Sequence, residues 1–168
     1  MPRTTVFLLG ATLLVLLAGC GGGGGAPVKL QTVTTAPDFE LKDVQGKAFR
    51  LSDAKGTVRL VDFWTTWCAP CREEIPMFKD LHATYGAKGF TLVGIAMDDE
   101  GVDKVKPYVD DLKIPYLILI GNEDVARAFG GIVGFPSKFL VDREGRIVDS
   151  WVGAVPRAVL EKKIQSIL

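Results

Sequence analysis

The strongest constraint in the sequence is the junction at residues 58 to 71. Val58-Arg59-Leu60-Val61-Asp62-Phe63-Trp64 is apolar and β-branched enough to be a buried strand, and it runs directly into Thr65-Thr66-Trp67-Cys68-Ala69-Pro70-Cys71. Ile75, Phe78, Leu81 and Tyr85 then recur at helical spacing. The chain must therefore build a strand that turns into a helix at a CxxC pair, with Pro76 expected to bend that helix.

The flanking patterns supply layers for this unit. Asp38 to Leu41 and Ala48 to Leu51 alternate around Gln45-Gly46-Lys47, as in a β-hairpin. Strands are expected at Phe90 to Met97, Tyr116 to Ile120, Lys138 to Val141 and Arg146 to Val152. Helices are expected where Val102, Val105, Val109 and Leu112 mark an apolar face interrupted by Pro107, and from Glu123 to Phe129. A last helix opens at Pro156 and carries Leu160, Ile164, Ile167 and Leu168 on one side. This order predicts an α/β domain with a central mixed sheet flanked by helices. At 168 residues the chain suits one such domain and a short appendage.

The appendage is N-terminal. Arg3 precedes a mostly apolar run, Val6 to Leu17, too short to span a bilayer comfortably, followed by Ala18 and Gly19. Leu17-Ala18-Gly19-Cys20 resembles the lipobox of bacterial lipoproteins, which makes residues 1–19 a signal peptide and Cys20 the lipidated mature N-terminus. Residues 20–36, beginning with Gly21 to Gly25, then form a flexible tether, and 37–168 the folded domain. Twenty basic residues balance twenty acidic ones, so the chain lacks the positive field of a nucleic-acid binder. It also lacks a polybasic patch, leaving membrane attachment to lipid.

Of three cysteines, Cys20 goes to lipid on this view, leaving Cys68 and Cys71. Such a pair could be a structural bridge, half a metal site or a redox couple. A tetrahedral metal site needs two further ligands, and His82 is the sole histidine. A structural bridge across so short a loop contributes little chain entropy. Redox chemistry is the strong candidate, with no metal or cofactor. Cys68 at the strand-to-helix junction meets unpaired N–H groups and the positive helix end, which favour its thiolate, while Cys71 lies one turn further in and less exposed.

Val61 to Arg72 resembles the active-site segment of thioredoxins. Together with Ala36-Pro37-Asp38-Phe39, Gly134-Phe135-Pro136 and Phe139 to Gly145, it resembles the TlpA/ResA-type membrane-anchored branch of that superfamily. The resemblance implies a thioredoxin-like fold with an N-terminal hairpin and an extra strand-helix unit, residues 116 to 129, before a cis-proline at Pro136. It implies thiol-disulfide exchange by Cys68 and Cys71. Glu74 matches an acidic residue lining the active-site cavity of ResA-like proteins, and Asp62 matches the buried aspartate of thioredoxins, where many ResA-like sequences are neutral. Asp62 then serves proton transfer to Cys71, or else is a buried acid neutralised by a lysine. Trp64 and Trp67 are expected to pack around the site and His82 to lie on a helix surface. Trp67, Phe135 and Pro136 are the substrate-binding candidates, Phe135 being bulkier than is common there.

The implied activity is extracytoplasmic, on the periplasmic side of a bacterial membrane. The protein would reduce client protein disulfides, with apo-cytochrome c maturation one such service, and an integral-membrane thiol-disulfide transporter would recharge it. Ala69-Pro70 does not fix the potential, so an oxidase direction stays open. Two rivals fit less well. A peroxiredoxin would place proline seven residues before its attacking cysteine, where Val61 stands, and a Sco-like copper protein would use CxxxC with a distant histidine.

Overall fold

A computed structural model describes residue 1 and residues 35–168. The proposed signal peptide, Cys20 and nearly all of the tether lie outside the described residues. Two short strands, β1 (Glu40–Lys42) and β2 (Ala48–Arg50), pair as the expected antiparallel hairpin. The second strand ends one residue early, because Leu51 turns inward to open a 3-10 turn over Leu51–Ala54. The main sheet has five strands: β3 (Val58–Trp64), β4 (Phe90–Ala96), β5 (Leu117–Ile120), β6 (Ser137–Val141) and β7 (Ile147–Val152). Their order is β5-β4-β3-β6-β7. β3, β4 and β5 run parallel, and β6 and β7 are antiparallel to their neighbours, so the sheet is mixed.

Period-two alternation divides β3 between two cores. Leu60 and Trp64 face a cluster containing Cys68, Cys71, Phe78 and Leu81 of α1 (Ala69–Tyr85), Val105 and Val109 of α2 (Val102–Asp111), and Leu160 and Ile164 of α4 (Arg157–Gln165). Val61 and Phe63 face the opposite cluster, which includes Leu41, Leu51, Phe139 and Val125 of α3 (Glu123–Ala128). Helices thus cover both faces. The hairpin leans on the outer strand, with Val44 N–H donating to the Ile118 carbonyl at 3.2 Å, so this edge is partly protected.

The residue 116 to 129 unit is present as β5 and α3, and the Phe135-Pro136 bond that follows is cis. Two details differ from expectation. Helix α1 continues as one element through Pro76, its buried face of Ile75, Phe78, Leu81 and Tyr85 outweighing one missing backbone bond. In α2, Val105 and Val109 are buried but Val102, the first residue of the helix, is exposed.

Candidate active site

Cys68 caps the N-terminus of α1, and Cys68 and Cys71 form a disulfide. Cys71 N–H points at Cys68 Sγ across 3.3 Å, and Pro70, in the first turn, needs no such partner. On reduction the same N–H and the helix end would stabilise a Cys68 thiolate. The expected contrast in exposure is small in this disulfide state: Cys68 is 5 % and Cys71 3 % accessible. The Trp67 side chain is 66 % exposed and meets the Phe135 ring edge-on at 5.9 Å, so the residue before Cys68 touches the residue before Pro136. Trp64, by contrast, is buried in the core beneath. Gly94 on β4 leaves room for it, since a Cβ there would meet Ile118 at 2.6 Å and the Trp64 indole nitrogen at 3.1 Å.

The loop between β3 and α1 is fixed by Asp98, a buried residue just beyond β4. Thr66 donates its backbone N–H to both Asp98 carboxylate oxygens, at 3.0 and 3.2 Å, and its hydroxyl to Oδ1 at 2.5 Å. This anchor was not anticipated from sequence. The available signal was an acid directly after a parallel strand, at the end of the sheet where the β3 loop also lies.

Behind the cysteines is a charged cluster. Asp62 faces the α1 side of the sheet and is paired across β3 and β6 with Lys138. The lysine side chain has no accessible surface; its ammonium lies 2.6 Å from Glu74 Oε2 and 3.8 Å from Asp62 Oδ1, and donates to the Gly153 carbonyl at 3.2 Å. Glu74 is 5 % exposed, not solvated, and its Oε1 accepts the Val155 N–H at 2.9 Å. Asp62 is 4 % exposed, and its Oδ1 has no hydrogen-bond partner. Burial pushes the Asp62 carboxyl up from 3.8 to about 7; Lys138 pulls it back and Glu74 adds to the rise. Glu74 follows Cys71 by three residues, about 4.5 Å of helical rise, so this cluster sits one turn behind the disulfide.

Lys138 is the functional-site candidate that sequence reasoning left unidentified, although alternation in Ser137-Lys138-Phe139-Leu140-Val141 already sets it on the same face as Leu140. His82 also departs from expectation. It is half-buried, its ring 6.3 Å from that of Tyr116, because the end of α1 rolls onto the segment before β5. Among the described residues no group of three or more His, Cys, Asp or Glu side chains is placed to hold a metal ion.

Comparison with known proteins agrees with this geometry. A family model described as the AhpC/TSA family matches residues 33–150. Thiol-disulfide oxidoreductase ResA of Bacillus thuringiensis is 30% identical over 165 residues, 92% of this chain and 94% of that protein. Thioredoxin-like protein YneN of Bacillus subtilis is 30% identical over 163 residues, covering 93% and 95%. A solved thiol:disulfide interchange protein of the thioredoxin family from Chlorobium tepidum superposes with a TM-score of 0.74 at 34% identity, over 83% of this chain and 99% of that one.

Proposed function

The chain belongs to the AhpC/TSA family and, within it, to the ResA-like thiol-disulfide oxidoreductases, and from this premise we propose that it is a reductase of client protein disulfides outside the cytoplasm. The observation that carries the proposal is the Cys68–Cys71 disulfide at the N-terminus of α1, beside the Trp67–Phe135 contact that brings the cis-proline loop to it. In the reduced enzyme the Cys68 thiolate attacks one client sulfur, forming a mixed disulfide and expelling the other sulfur as a thiolate that takes up a proton. Cys71, once deprotonated, attacks Cys68 Sγ and releases the second client thiolate, which is protonated in turn. The client gains two electrons and two protons, and the enzyme ends as the disulfide.

A dithiol donor must then return two electrons, and an integral-membrane thiol-disulfide transporter is the proposed source. Trp67, Phe135 and Pro136 form the surface offered to the client, with Asp62 and Glu74 as the acids serving Cys71. Cys20 is the proposed lipid anchor on the periplasmic side of the membrane, and apo-cytochrome c is one client class this placement suits. No helix among the described residues is long and apolar enough to cross a membrane.

Trapping tests the chemistry. Cys71→Ser should accumulate client mixed disulfides through Cys68 on non-reducing gels, whereas Cys68→Ser should not; equal trapping by both would reverse the assigned roles. The reduction potential tests direction: a reductase should lie near the glutaredoxin-to-thioredoxin range of about −200 to −270 mV, and a value near −120 mV would make the protein an oxidant. Mass analysis of the purified membrane form tests the anchor, since an unmodified Cys20, or a mature chain starting elsewhere, removes it.

A further inference from the structure

We infer that Lys138 is a positioning residue: by pairing closely with Glu74 and standing off from Asp62, it leaves Asp62 as the buried acid that gains and loses the proton. The inference deepens the exchange reading above and rests on it. Two carboxyls and one ammonium share a dry site, so full ionisation leaves one negative charge without a counterion, and a single bound proton relieves it. The distances assign that proton. Glu74 Oε2 forms a close ion pair with the Lys138 ammonium at 2.6 Å, and its Oε1 accepts the Val155 N–H at 2.9 Å. Asp62 Oδ1 stands 3.8 Å from the same ammonium, beyond hydrogen-bond reach, and has no other partner.

The other surfaces around Asp62 add no competing charge. β4 presents Gly94 opposite it, and β7 presents Trp151 opposite Lys138. Tyr116 remains neutral because burial, followed by the charge of Asp62, drives its hydroxyl far above its ordinary value. Cys68 and Cys71 at the start of α1 do not titrate while bonded to each other. Lys138 lies on β6, two residues past Pro136, so the strand that follows the cis-proline also sets the protonation state behind the redox helix.

The test uses the full chain in its disulfide form, with infrared difference spectra recorded from pH 5 to 9. Wild type should show one protonated-carboxyl band that disappears with a midpoint near 7. Asp62→Asn should lack it and Glu74→Gln should keep it, with a lower midpoint because Lys138 is then free to pair with Asp62. Adding Lys138→Met to Glu74→Gln removes the ion pair as a unit, which a folded core tolerates better than a lone buried charge. That double variant should bind the Asp62 proton at least tenfold more tightly than Glu74→Gln alone. A band that survives in Asp62→Asn and vanishes in Glu74→Gln would put the proton on Glu74, and equal midpoints in Glu74→Gln and the double variant would remove Lys138 from the role. Because no client or thiol takes part, these outcomes are independent of whether Cys68 and Cys71 exchange disulfides.

Discussion

Lys138→Met should destabilise the oxidised domain by about 3–5 kcal/mol at pH 7, the range for stripping one partner from a buried ion pair. Methionine fills the volume of the aliphatic stem, so the loss is electrostatic and not a cavity effect. Glu74 would be left with a carboxylate 5 % exposed and only the Val155 N–H as partner. It must then either stay charged in the core or take up a proton, and both are unfavourable at neutral pH. The double variant Lys138→Met/Glu74→Gln should recover most of the loss, because a glutamine carbonyl can still accept from Val155 N–H. The remaining deficit of about 1 kcal/mol reflects the Gly153 carbonyl, which loses its lysine donor. Urea unfolding of wild type, both single variants and the double variant closes the cycle. A Lys138→Met protein within 1 kcal/mol of wild type would mean that the ammonium is not compensating a buried charge.

This network shows why the sequence was legible in one respect and not in another. The strand-to-helix junction at Cys68 is a local signal: an apolar run, a CxxC and a helical repeat fix the geometry within 28 residues, 58 to 85. The mixed sheet followed from similar local patterns, and the cis bond at Pro136 from family resemblance. The charge partners are not local. Asp62 and Lys138 are 76 positions apart and meet only through β3–β6 register, while Glu74 joins them from the helix laid over that pair. Nothing in Glu74's neighbourhood in the chain distinguishes it from a solvated helix acid, since Arg72, Glu73 and Glu74 form one polar run. Burial came from the packing of α1 against the sheet and from the loop that brings Val155 to it. Asp98 was hidden for the same reason, because its partner Thr66 belongs to a neighbouring strand's loop.

Asp62→Asn should raise the stability of the oxidised protein, by an amount that grows with pH. The native carboxyl titrates near 7 against 3.8 for the ordinary group, so between these values the folded state holds a proton that the unfolded chain has released. Wild-type stability from this group is therefore fully present below about pH 4, falls as pH rises towards 7, and is level above that. An interval of about 3 pH units at 1.36 kcal/mol each amounts to about 4 kcal/mol. Asparagine has no such titration and nearly the same shape. The other ionisable groups are common to both proteins, so the difference between their pH profiles isolates Asp62. The gap should be about 1–2 kcal/mol at pH 5, about 4 at pH 7, and constant from there to pH 9. Urea unfolding at each pH measures it. The same substitution should slow the Cys71 step by about 10²-fold, the lower end for loss of a general base, while leaving the initial attack by Cys68 unchanged. Stopped-flow exchange with a client peptide separates the two phases. An asparagine variant that is less stable at every pH and resolves mixed disulfides at the wild-type rate would make Asp62 a satisfied structural acid, held for its contact with Lys138 and not for its proton.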